Sequence, residues 1–308
     1  MTKGGKTLAL HGSLAALPTP FRGGEIDTEA FAGLCERHLA RGTTGLVICG
    51  STGEAPALRP EEQADLVALA VGIARRRAPV IAGCGAPCTE SALVIARLAA
   101  RVRADALLCA PTPYVKPSQD GIAAHVRTLA VASGLPVILY DVPGRTGVSV
   151  RDETIAALFE HGVIVGVKDA TADLARPPRL RALCGDGLAQ LSGDDATAAA
   201  YRAAGGHGCI SVTANLTPAL CAALHTAWDR GDLVRFADLR DRLAPLHDAL
   251  FAESNPVPLK AGLELLDLCT ADVRLPLTRA SEATRWRLER LLGRLATREE
   301  AGIDALQS

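Results

Sequence analysis

Lys168 is the residue of this chain with the sharpest chemical potential. The sequence holds only five lysines, Lys3, Lys6, Lys116, Lys168 and Lys260. Lys168 follows directly on the run Val163-Ile164-Val165-Gly166-Val167, so its stem emerges from an apolar segment. An ammonium withdrawn from water loses part of its preference for the charged form. The neutral amine that results is a nucleophile able to add to a ketone carbon and form a Schiff base. A second reading stands beside this one: a structural lysine paired with Asp169 or Asp141, since ion-pair networks perturb titration as well.

Tyr140 ends a neighbouring apolar run. Its phenol can relay protons during imine formation, with Tyr114 and Ser51 continuing the relay to solvent. The plainer alternative is a core aromatic with a satisfied hydroxyl. Gly50-Ser51-Thr52-Gly53-Glu54 reads as an anion-binding turn, in which glycine permits close approach and Ser51 and Thr52 offer hydroxyl and N–H donors to a carboxylate. It lacks the Gly-Lys-Ser/Thr ending of a phosphate loop, and an ordinary strand-to-helix turn remains the alternative. Arg145, after Pro143-Gly144, can grip a second carboxylate bidentately or simply be one of many surface arginines.

Other candidates carry less. No two of the seven histidines have metal-ligand spacing, and Cys84 with Cys88 is a single pair with no second one. His207, in Gly205-Gly206-His207-Gly208, reads as shaping a turn, and Asp194 and Asp195 read as helix caps. No Gly-x-Ser-x-Gly nucleophile elbow is present.

Eight short apolar runs must position these residues: 13–17, 45–49, 79–83, 106–110, 136–140, 163–167, 189–191 and 208–212. Continuous apolar character fits strands covered on both faces. Helical periodicity lies between them. Thr28 is placed to cap one helix, Pro60-Glu61-Glu62 opens another, Ser118-Gln119 a third, and Asp152 or Thr154 a fourth. Eight alternations predict an α/β fold, a (β/α)8 TIM barrel. From Leu216 onward only helices are predicted, near 218–230, 233–250, 256–268 and 281–295. The expected division is a barrel core over 1–212 and a C-terminal helical region over 213–308 that includes the last barrel helix. The first ten residues and the last several are expected to fray.

Composition narrows the function classes. The chain of 308 residues is 48% hydrophobic with a formal net charge of -1. That is enough for one large core, and it offers no basic excess for nucleic acid. No apolar stretch reaches the length of a membrane span, and the N-terminus lacks a secretory signal pattern. Nine scattered cysteines, several inside apolar runs, fit buried reduced thiols and a cytoplasmic protein.

Six motifs in order carry a family resemblance: Gly-Ser-Thr-Gly-Glu at 50–54, Tyr-Val-Lys-Pro-Ser-Gln at 114–119, Tyr-Asp-Val-Pro-Gly-Arg-Thr-Gly at 140–147, Val-Lys-Asp-Ala-Thr at 167–171, Leu-Ser-Gly-Asp-Asp at 191–195 and Gly-His-Gly-Cys-Ile-Ser-Val at 206–212. From Gly12 to about Leu295 the chain resembles the dihydrodipicolinate synthase branch of the N-acetylneuraminate lyase superfamily. The resemblance implies a Schiff-base lyase of lysine and diaminopimelate biosynthesis that condenses pyruvate with aspartate 4-semialdehyde and needs no metal or organic cofactor. It gives Lys168 the Schiff base and Tyr140 the proton shuttle. Ser51 and Tyr114 complete the relay, with Tyr114 reaching into a neighbouring subunit's site. Thr52 holds the pyruvate carboxylate, Arg145 the second carboxylate, and Gly193 and Ile210 line the pocket through backbone atoms. It also implies a homotetramer built from tight dimers.

The sequence departs from the family in two places. Ser51 stands for the usual threonine; it keeps the hydroxyl, loses the methyl that restricts its rotamer, and implies slower turnover. Pro113 stands where many members carry an aromatic. With Ala55, Pro60, Gln63, Pro87 and Ser91 at the places that match the lysine-inhibition site, weak or absent feedback by lysine is expected. Two other functions stand beside the main one: a sister aldolase or dehydratase of 2-oxo sugar acids, and a non-catalytic protein that kept the pocket.

Overall fold

The apolar runs form eight parallel strands that close into a barrel in sequence order: β1 (Gly12–Ala16), β2 (Gly45–Ile48), β3 (Val80–Gly83), β4 (Ala106–Cys109), β5 (Val137–Asp141), β6 (Ile164–Asp169), β7 (Ala189–Ser192) and β8 (Gly208–Ser211). The structure is a computed structural model that describes residues 8–304, with side chains through residue 295. Alternation along each strand sorts the side chains into two layers. Leu14, Val47, Ile81, Leu108, Ile138 and Ile210 fill the barrel interior. Leu46, Ile48, Val80, Leu107 and Leu139 face outward and pack against helix residues such as Phe31, Leu66, Val126 and Leu129. The expected TIM barrel is what forms.

The outer ring is α1 (Thr28–Ala40), α2 (Pro60–Ala74), α3 (Thr89–Arg101), α4 (Gln119–Ser133), α5 (Asp152–Glu160), α6 (Arg176–Cys184), α7 (Asp195–Ala203) and α8 (Pro218–Asp229). Three more helices follow: α9 (Leu233–Leu250), α10 (Val257–Leu265) and α11 (Glu282–Asp304). The cap of α1 is Asp27, one residue earlier than expected, because its carboxylate accepts from the Ala30 N–H at 2.9 Å. Ser118 caps α4 and Asp194 caps α7 as expected. Leu10 does not fray; it is buried against the barrel interior. The fraying expected for residues 1–7 and 305–308 lies outside the described residues.

Sequence periodicity missed a two-stranded hairpin, Phe21–Arg22 against Glu25–Ile26, that turns on Gly23-Gly24. It follows β1 at the mouth of the barrel, and the Phe21 ring becomes a platform for the cations of Lys260 and Arg274.

A neutral histidine helps close the barrel seam. His38 on α1 is fully buried, with Nδ1 3.0 Å from Thr43 Oγ1 and Nε2 3.0 Å from Asn215 Oδ1. The Asn215 amide in turn donates to the carbonyls of Ala16 and Val212, at the ends of β1 and β8. Burial pushes His38, and likewise His225, from the ordinary 6.5 down to about 4. A base with a depressed folded pKa takes up its proton on unfolding, so stability is lost as pH falls from 6.5 to about 4. Each histidine contributes a loss on the order of 3 kcal/mol by pH 4. The thermal midpoint is expected to drop across that window. Glu62, held down at about 2 chiefly by Arg274, adds its own loss as pH falls from about 4.5 to about 2. A midpoint that stays flat between pH 6.5 and 4.5 would contradict the account.

Candidate active site

The C-terminal ends of β2, β5, β6 and β7 share one mouth of the barrel, the end where such barrels do chemistry. Tyr140 and Lys168 are register partners on β5 and β6 and share a face with Ile138 and Gly166, toward the interior. Lys168 is 6% exposed, and its Nζ lies 4.2 Å from the centroid of the Tyr140 ring. Among the described residues no carboxylate forms an ion pair with it. The structural alternative for Lys168 therefore fails for a geometric reason. Asp141 and Asp169 are one residue further along their strands and face the other way, into the helix layer.

There they meet Arg176, which lies 2.6 Å from Asp141 Oδ2, 3.4 Å from Asp169 Oδ1 and 2.8 Å from Asp152 Oδ1. Burial raises the Asp141 pKa and the Arg176 contact works against that rise. The guanidinium thus holds two carboxylates directly behind the Lys168–Tyr140 pair and away from the amine.

Gly193 explains how the lysine stem fits. A Cβ built at Gly193 would stand 3.1 Å from Lys168 Cγ and Cε and 3.0 Å from the Ala170 Cβ. Only a residue without a side chain leaves that path clear. Ile210 packs in the same interior cluster as Tyr140. Asp194 caps α7, whereas Asp195 does not cap it: it is the first helical residue, is buried, and accepts from Ser211 Oγ and from the Val212 and Thr213 N–H groups, joining the ends of β7 and β8. His207 shapes the turn into β8 by accepting from the Gln190 N–H at 3.0 Å.

The turn after β2 is wound by two left-handed residues, Cys49 (φ 55°) and Glu54 (φ 53°), bracketing Gly50–Gly53. Gly83 lets it lie close, because a Cβ there would sit 2.1 Å from the Cys49 carbonyl oxygen. The backbone hydrogen bonds of the turn run from the Gly53, Glu54 and Ala55 N–H groups. Among the described residues the Ser51 and Thr52 N–H groups have no such partner. Ser51 is half-buried and Thr52 is buried.

The turn is fastened from the C-terminal region, which sequence reasoning did not foresee. Asn255 Nδ2 donates to Thr52 Oγ1 at 3.0 Å, and Arg145 Nη2 donates to the Asn255 carbonyl at 3.4 Å. Glu54 Oε1 is 2.5 Å from Lys260 Nζ, and Glu54 Oε2 accepts from the Arg274 N–H at 3.0 Å. Lys260 also donates to the Asp272 carbonyl and lies 4.1 Å over the Phe21 ring. Thr52 and Arg145 are thereby brought to the two sides of one residue. Tyr114 is not gathered with them: it is 94% exposed, in a loop after β4, at φ 74°. Cys84 and Cys88 part as well, the first buried and the second exposed against Ser91.

A closed eight-stranded barrel with a sheltered lysine beside a tyrosine at its mouth defines a (β/α)8-barrel enzyme of the lyase class. The sequence profile of the Dihydrodipicolinate synthetase family matches residues 9–295, and the chain belongs to that family. It is 48% identical over 275 residues to the 4-hydroxy-tetrahydrodipicolinate synthase of Rhodospirillum centenum, covering 89% of this chain and 94% of that protein. It is 49% identical over 272 residues to the protein of the same name from Parvibaculum lavamentivorans, covering 88% and 94%. The crystal structure of the chloride-inhibited dihydrodipicolinate synthase from Acinetobacter baumannii complexed with pyruvate superposes with a TM-score of 0.89 at 38% identity, covering 92% of this chain and 98% of that one.

Proposed function

We propose that this chain condenses pyruvate with L-aspartate 4-semialdehyde to give 4-hydroxy-tetrahydrodipicolinate, through a Schiff base on Lys168. The observation that carries the reading is the Lys168 amine, buried beside Tyr140 and free of any carboxylate among the described residues, in a chain whose relatives bear that enzyme's name. The amine adds to C2 of pyruvate, and loss of water gives the imine. Loss of a C3 proton gives an enamine, whose C3 attacks the aldehyde carbon. The amine of the second substrate then displaces Lys168 and closes the ring.

The remaining roles follow from where the groups lie. Tyr140 moves protons at the carbinolamine, with Ser51 and a neighbouring subunit's Tyr114 completing the relay. The Ser51 and Thr52 N–H groups and the Thr52 hydroxyl receive the pyruvate carboxylate. Arg145 receives the carboxylate of the semialdehyde. Gly193 and Ile210 line the pocket. The assembly is a homotetramer of tight dimers, supported by the solvent-facing Tyr114 and Val115 at the tip of one loop. A cytoplasmic setting is supported by seven buried free thiols.

A panel assay of the purified protein with pyruvate and several aldehydes tests the substrate. Aspartate semialdehyde is expected to give a kcat/KM at least about tenfold above any sugar-derived aldehyde, because only it offers Arg145 a carboxylate. A sugar-derived aldehyde that turns over faster overturns the assignment, and no turnover with any aldehyde overturns the enzyme.

A further inference from the structure

We propose that Asn255 is a positioning residue for the keto-acid site, acting through Thr52: its amide fills an acceptor position on the Thr52 hydroxyl and so commits that hydroxyl's own proton to the substrate carboxylate. The inference rests on the reading of Thr52 and Lys168 given above.

A hydroxyl has one proton to give and two lone pairs to receive with. Left alone, a buried threonine hydroxyl donates to whatever carbonyl is nearest. Here Asn255 Nδ2 donates to Thr52 Oγ1 at 3.0 Å, and both side chains are buried. The threonine is thus an acceptor within the protein, and its proton remains for an incoming anion. A hydroxyl that is already accepting is also the better donor, because chained hydrogen bonds polarise one another. The Ser51 and Thr52 N–H groups, without backbone partners among the described residues, supply further donors at the same place.

The main chain of Asn255 does a separate job. Its carbonyl accepts from Arg145 Nη2 at 3.4 Å. The residue therefore stands between the groups assigned to the two substrate carboxylates, with its side chain serving one and its backbone the other. Asn255 comes from the segment between α9 and α10, outside the barrel strands, and 203 residues of chain separate it from Thr52. Replacing the side chain removes the Thr52 contact and leaves the carbonyl that meets Arg145. A residue that only supported the fold would move both substrates together.

The test compares the unsubstituted protein with Asn255→Ala and Asn255→Asp, by borohydride trapping of pyruvate across a concentration series and by initial rates. Asn255→Ala is expected to raise the half-saturating pyruvate about 3–10-fold, the value of one hydrogen bond. Asn255→Asp, which accepts the Thr52 proton and adds a negative charge, is expected to raise it by more than about tenfold. The KM for the semialdehyde should change by less than about twofold in the alanine variant. In a Thr52→Val background, Asn255→Ala should add nothing further. If the aspartate variant does not fold, Asn255→Ser carries the comparison, with a rise smaller than that of alanine.

Unchanged half-saturating pyruvate in the folded variants overturns the inference. So does an equal rise in both KM values, or a full additive effect in the Thr52→Val background. Failure of the unsubstituted protein to trap pyruvate is a different result: it sinks the Schiff-base reading, and this inference with it.

Discussion

Lys168→Ala is expected to lose both the borohydride-trapped pyruvate adduct and turnover, the latter by on the order of 10⁴-fold or more, as befits removal of a covalent nucleophile. Two described lysines are buried, Lys168 and Lys260. Lys260 is occupied on several sides, by Glu54 at 2.5 Å, by the Asp272 carbonyl at 2.7 Å and by the face of Phe21. An amine so engaged has no lone pair to offer a ketone. Among the described residues Lys168 forms no ion pair or side-chain hydrogen bond, the Tyr140 ring lies beside its amine, and the carboxylates that follow Tyr140 and Lys168 in sequence are drawn away by Arg176. Intact-mass measurement after reduction decides the matter. A single adduct that vanishes in Lys168→Ala supports the assignment. An adduct that persists and maps to Lys260, or a variant that keeps more than about 1% of kcat, removes it.

The barrel itself was legible in the sequence, for a simple reason. Strands covered on both faces are mostly continuous apolar runs, and several of these runs are followed by glycine, proline, serine, threonine or aspartate where the chain turns. Helix starts were legible where a local side chain closes them, as with Ser118 and Asp194. The hairpin at Phe21–Ile26 was missed although Gly23-Gly24 between short runs is a turn signal, because each strand is only two residues long. The choice between the two readings of Lys168 was also within reach. Side chains alternate along a strand, so a lysine facing the interior forces the aspartate after it to face outward.

What the sequence could not give is the fastening of the site. Asn255 to Thr52 and Lys260 to Glu54 join places about 200 residues apart. Local periodicity carries no information on such a pairing. Lys260 stood out by scarcity alone, and Asn255 by nothing at all. The six ordered motifs named the chemistry, while the residues that hold those motifs in register lay outside them.

That fastening has a measurable weight. Lys260→Met is expected to destabilise the protein by roughly 3–5 kcal/mol, the cost of leaving one buried charge without its partner. Lys260 is 0% exposed, and Glu54 is buried at the foot of the turn after β2 in a left-handed conformation. Burial lowers the Lys260 pKa while Glu54 works against that fall, so the pair survives only as a pair. For a chain of this size each kcal/mol shifts the thermal midpoint by roughly 2–4 °C. Glu54→Gln should cost a comparable amount. The double variant Lys260→Met with Glu54→Gln should recover much of the loss, since an ion pair replaced whole leaves no orphan charge. The function should follow the stability only in part. Asn255 still holds Thr52 when Lys260 is gone, so the half-saturating pyruvate should rise in Lys260→Met without trapping being abolished. If Lys260→Met melts like the unsubstituted protein, the pair is not what secures the turn. The hold on Thr52 would then have to come from Asn255 alone, and the placement of the turn after β2 would rest on a single amide.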